Sequence, residues 1–134
     1  MRGPWAWWRR RGRRRGGTGG LDPELLAAVH SAYERGTPVP EAAARAAAEA
    51  GDRRGMTVYG IGLGNRGEYE EAEHWLRSAM ALGDVSASVV LGTLHLDLGR
   101  YAEAERVLRP AADRGHSGAR LALREARARR NGHG

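Results

Sequence analysis

Residues 51–82 and 83–114 are two copies of one 32-residue unit. Laid on each other without a gap, they agree at twelve positions: Gly51/Gly83, Asp52/Asp84, Val58/Val90, Gly60/Gly92, Gly67/Gly99, Tyr69/Tyr101, Glu71/Glu103, Ala72/Ala104, Glu73/Glu105, Leu76/Leu108, Arg77/Arg109 and Ala79/Ala111. Gly115-His116 falls at the same interval again and opens a third, incomplete copy. A fixed period of this length marks a stacked array of small supersecondary units. One such unit cannot cover its own apolar face, so the core has to be completed by the neighbouring unit.

Each unit reads as two helices and a tight turn. The first helix starts after Asp52 or Asp84, a residue type that caps free amide groups and suits the positive end of a helix. It stops at Gly67 or Gly99, where a residue without a side chain can take the left-handed conformation. The second helix opens on acids (Glu70 and Glu71; Glu103) and runs to Gly83 or Gly115. Its apolar stripe, Ala72, Leu76, Ala79 and Met80 against Ala104, Leu108, Ala111 and Ala112, has helical spacing. Small residues at Gly60, Ala72 and Ala79, repeated as Gly92, Ala104 and Ala111, let backbones approach, and with Leu76 and Leu108 they make up the expected repeat-packing set. Pro110 falls inside a second helix and should kink it or remove one hydrogen bond.

The flanks fit the same plan. Asp22-Pro23-Glu24 is a cap followed by proline in the first turn and opens a helix to about residue 35. Residues 36–40 form a turn and 41–50 an Ala-rich helix, so 21–50 is a degenerate first pair. Residues 115–130 repeat only the first helix, with an Arg-rich face that would solvate the open end of the stack, and 131–134 form a tail. The expected fold is all-α: a short α-solenoid of antiparallel hairpins over 21–130, seven helices in all.

Charge divides the chain differently. Residues 1–20 hold seven arginines (Arg2, Arg9, Arg10, Arg11, Arg13, Arg14 and Arg15) and no acid. Residues 21–113 carry nine arginines against fifteen acids, and from Arg114 onward there are six arginines and one acid. An extended basic arm with Trp5, Trp7 and Trp8 suits nucleic acid or an anionic surface, through counterion release and stacking, with Arg9–Arg11 and Arg13–Arg15 as the polyanion contacts. The low-complexity, Gly-rich composition favours instead a disordered, solvated leader or an upstream stretch added by a misassigned start. Export is disfavoured, because no apolar run follows the arginines, and a cytoplasmic protein is expected. All 22 basic residues are Arg, a bias that fits a GC-rich bacterial genome.

The order Gly60, Ala72, Leu76, Ala79, repeated as Gly92, Ala104, Leu108, Ala111, resembles the small-residue skeleton of tetratricopeptide repeats. The Gly-Asp punctuation and the phrase Gly67-Glu68-Tyr69-Glu70-Glu71-Ala72-Glu73-His74-Trp75-Leu76 look more like the Sel-one-like branch. The likeness covers residues 51–128, with a period of 32 in place of about 34 and without the usual closing proline. It implies a right-handed superhelix whose concave side, lined by first helices, binds a peptide or protein without catalysis. By position, that face would comprise Arg54, Thr57, Ile61 and Asn65, then Ser86, Val89, Thr93 and Asp97. A clamp for a C-terminal carboxylate is disfavoured, because the matching Thr57, Ile61, Val89 and Thr93 are not basic. The Arg-rich last helix predicts a monomer.

Other chemistry is thinly supported. Gly62-Leu63-Gly64-Asn65-Arg66-Gly67 matches a dinucleotide fingerprint, but that motif needs a strand before it and a helix starting within it, and Gly67 ends a helix. The glycines instead predict that the first helix of unit one is the least stable. With no Cys there is no disulfide, thiol nucleophile or thiolate zinc site. His30, His74, His95, His116 and His133 lack metal-ligand spacing and read as surface or repeat-packing residues, and Trp75 as packing between units. No cofactor, metal or catalytic residue is expected.

Overall fold

The computed structural model describes residues 20–132. Within them seven helices follow one another: α1 (Pro23–Arg35), α2 (Glu41–Glu49), α3 (Arg53–Asn65), α4 (Tyr69–Ala81), α5 (Val85–Asp97), α6 (Tyr101–Asp113) and α7 (Ser117–Gly132), with no strand among the described residues. The basic arm expected over 1–20 lies outside the described residues except for Gly20. α7 continues through Asn131 and Gly132, so only the last two residues of the expected tail lie beyond it.

The helices are cut to length by glycine. Gly36, Gly51, Gly67, Gly83, Gly99 and Gly115 all have positive φ, and from Gly51 onward they recur every 16 residues, once per helix. At each of the last five the amide one residue beyond the glycine reaches back to a carbonyl in the last turn: Asp52 to Ala47 (3.1 Å), Glu68 to Leu63 (2.9 Å), Asp84 to Ala79 (3.0 Å), Arg100 to His95 (2.8 Å) and His116 to Ala111 (3.1 Å). That is the closure a left-handed glycine makes possible, and a side chain there would be strained.

First helices are also capped at their starts. The Asp22, Asp52 and Asp84 carboxylates accept from the amides of Glu24, Gly55 and Ser86 at 3.1, 2.8 and 3.0 Å. In the third copy His116 takes over, its Nδ1 accepting from the Ala119 amide at 3.2 Å. The second helices α2, α4 and α6 have no side-chain cap and rely on packing. Pro110 is exposed and α6 runs through it to Asp113.

Packing follows the hairpin plan. α3 lies against α4 and α5 against α6, while α4 reaches α5 and α6 reaches α7. First helices also touch directly, α1 on α3, α3 on α5 and α5 on α7. Leu63, Leu76, Leu91 and Leu108 are wholly buried, each worth about 1.5–3 kcal/mol of burial. Trp75 is buried, edge-on to Tyr59 at 5.7 Å, in a cluster that also takes in Val107 of the next hairpin. The first pair departs from the plan: α1 buries Val29 alone and leans on α3 more than on α2.

Candidate interaction face

The first helices share one side of the array, held together by a chain of polar contacts rooted in the caps. Asp84, nearly inaccessible, accepts from the Ser86 amide, from the Thr57 hydroxyl of α3 at 2.5 Å and from the Tyr33 phenol of α1 at 2.7 Å. One carboxylate thus caps α5 and ties three successive first helices. Burial raises the Tyr33 phenol above its ordinary pKa, with Ser86 and Arg54 opposing. One step earlier His30 Nε2 meets Asp52 at 2.9 Å. Arg54 lies over the Tyr33 ring, 5.6 Å from its centroid, with Glu34 3.5 Å from its guanidinium.

These contacts change the expected face. Thr57 is 1% exposed and its hydroxyl is spent on Asp84, so it belongs to the support beneath the surface, not to the surface. Val89, its counterpart, is half-buried and packs in the cluster formed with α6 and α7. Arg54 and Ser86 are half-exposed, and Arg54 is already engaged by α1. Ile61, Asn65, Thr93 and Asp97 are exposed. The pairs are one helical turn apart on α3 and α5, and the repeat register sets Ile61 against Thr93 and Asn65 against Asp97. The eight small or Leu positions assigned to packing, Gly60, Ala72, Leu76, Ala79, Gly92, Ala104, Leu108 and Ala111, are all buried.

A second set of polar contacts joins successive hairpins on the other flank. An acid in the first or second turn of each second helix pairs with arginines of the next unit, at the end of its first helix or in the turn that follows it. Glu41 meets Arg66 at 2.9 Å and Glu73 meets Arg100 at 3.9 Å. Glu105, 5% exposed, takes Arg109 at 3.5 Å, Arg127 at 3.4 Å, and Arg130. The Arg-rich face of α7 is therefore partly spent on holding α7 to α6, with Arg129 on Glu125 at 2.6 Å besides. Recurrence of Glu at 41, 73 and 105 was the available signal for this ladder.

Comparison with known proteins fits this geometry. A family model described as tetratricopeptide repeat matches residues 87–116. Those residues form a repeat of tetratricopeptide type. The matched stretch runs from the first turn of α5 through α6 to His116, and its counterpart 55–84 has the same helices and left-handed glycines. No curated protein and no solved structure matches the chain. Tetratricopeptide repeats in general serve as scaffolds for protein–protein interaction, and that general role is what the match supports. No helix among the described residues is long and apolar enough to cross a membrane.

Proposed function

We propose that the chain is a non-catalytic adaptor of the Sel-one-like branch, acting in the cytoplasm of a bacterium and binding an extended peptide on its first-helix side. The observation that carries this reading is the strip Ile61, Asn65, Thr93 and Asp97, exposed on α3 and α5 over a support of buried caps. First helices approach one another directly along the array, which supports taking their side as the inner side of the curve. The strip offers one apolar side chain, an amide, a hydroxyl and a carboxylate, with no exposed unpaired cation among the four residues. A segment that pairs an apolar residue with a basic one suits it better than an acidic tail.

The reading is tested by selecting peptides on the full chain from a random display library and remeasuring the best binder on variants. Ile61→Arg and Asp97→Arg should each weaken it by about tenfold or more, or roughly 1.4 kcal/mol, with little change in Tm, while Arg106→Glu on the outer face of α6 leaves it unchanged. Equal affinity for all three variants would place binding elsewhere. The runner-up reading, a polyanion contact through Arg9–Arg11 and Arg13–Arg15, rests on seven arginines and no acid in residues 1–20. It calls instead for a steeply salt-dependent affinity for DNA that disappears when those residues are deleted.

A further inference from the structure

The repeats exchange one fully buried residue for another of quite different chemistry. Leu63 of α3 is wholly buried, and its counterpart 32 positions on is His95 of α5, also wholly buried. Neither ring nitrogen of His95 has a hydrogen-bond partner. His95 sits in the last turn of α5, where its own carbonyl accepts the Arg100 amide that closes the helix. The charged groups acting on the ring come from α4 (Glu73 and Arg77), from α6 (Glu103) and from the turn before α6 (Arg100); α3 and α7, which also touch α5, contribute none of these. Two acids and two arginines oppose each other, so burial dominates and holds the imidazole below its ordinary pKa, as a neutral ring. A neutral imidazole tolerates such a site. An imidazolium, with two charged donors and no acceptor in reach, does not.

We propose that His95 makes the second repeat acid-labile: on protonation the α5–α6 hairpin loosens from α4, opening the array at its middle joint while α2–α4 stay packed. The sign follows from proton counting. In the loosened state His95 binds a proton at its ordinary value of about 6.5, in the packed state only at lower pH, so packing is at full strength above that value and weakens as pH falls below it. Leu63 gives the first repeat no such dependence, which confines the effect to α5 and α6. The device is independent of what the array binds.

The full chain, His95→Leu and His95→Gln are compared at about pH 7.5 and about pH 5.5, on either side of the ordinary histidine value. The wild-type Tm should fall by about 4 °C or more beyond the fall in His95→Leu, which restores the residue found at position 63. His95→Gln, polar but not titrating, should follow His95→Leu in its pH response. Amides of residues 85–113 should lose hydrogen-exchange protection in acid before those of 53–81. Equal acid sensitivity in wild type and both variants would overturn the proposal. So would ring signals of His95 that titrate in the packed protein near about pH 6.5, and this measurement on the wild type decides the matter even if neither variant folds.

Discussion

The two full repeats share a backbone plan and differ in how tightly they close. In the first, a methyl added at Gly60 would stand 2.8 Å from Leu76 Cγ and 2.9 Å from its Cδ2. In the second, a methyl at Gly92 would fall inside Leu108, within van der Waals contact of Cγ and both Cδ atoms. The flanking glycines of α3 are not held this way: position 62 is glycine in one copy and Leu94 in the other, position 64 glycine and Leu96. Glycine is therefore required in each hairpin where the second helix drives a leucine into the first, and in α3 also at Gly55, where an added methyl would stand 2.6 Å from Ala47 Cβ and 3.0 Å from the backbone of Ala47 and Ala48. At positions 62 and 64 it only loosens the helix.

The largest effect should come from breaking that contact in the tighter copy. Leu108→Ala should cost about 2–5 kcal/mol, because its wholly buried side chain leaves a cavity. Gly92→Ala should cost about 1–3 kcal/mol by overpacking, and more than Gly60→Ala, since the Leu108 atoms stand closer. The decisive measurement is the double variant by urea denaturation. With Leu108 cut to Ala the added methyl has room, so Gly92→Ala should become neutral or stabilising in that background, a strong non-additivity. Simple addition of the two costs would mean that the glycine answers to something other than Leu108.

A smaller effect separates the two copies of the acid ladder. Glu105 is 5% exposed and gathers Arg109, Arg127 and Arg130, whereas Glu73, with a side chain 26% exposed, meets Arg77 at 2.9 Å and Arg100 at 3.9 Å. The arginines themselves are about half exposed, so solvent screens much of each attraction. Glu105→Gln should cost about 1–2 kcal/mol and Glu73→Gln less than about 1 kcal/mol. Hydrogen exchange should show the first loss concentrated in α7. An equal cost for both would mean that α7 is held by Ala119, Leu123 and Ala126 alone.

Local features of the chain carried most of the fold into view, because the hairpin is built from short-range rules. Capping aspartates, left-handed glycines and apolar spacing all act within about two helical turns. The face was less legible for the same reason. Position 57 has the right register for the surface, but Tyr33 and Asp84 cover it from 24 residues before and 27 after. Tyr33 belongs to the degenerate pair, which has no copy to compare it with. The arginines of α7 looked like solvation because their partner, Glu105, lies on another helix. His95 read only as a surface or repeat-packing residue; its complete burial opposite Leu63 in the repeat, and the absence of a partner for its ring, came into view only with the fold.

The smallest expected effect is a gain, and it tests the comparison from its loose side. At Gly62 an added methyl would meet only the Glu41 carboxylate at 4.0 Å, and the backbone is ordinary helix without a positive φ. At Gly64 it would lie 3.7 Å from Leu94 Cδ1, an ordinary contact. Nothing at either site rewards the missing side chain, while each glycine inside a helix costs about 1 kcal/mol against Ala. Gly62→Ala should therefore raise stability by up to about 1 kcal/mol, read as a higher Tm or urea midpoint, and Gly64→Ala by about the same or slightly less. If Gly62→Ala lowered the Tm, α3 would need its bare surface there. The looseness of the first repeat would then be a constraint of its own and not the absence of one.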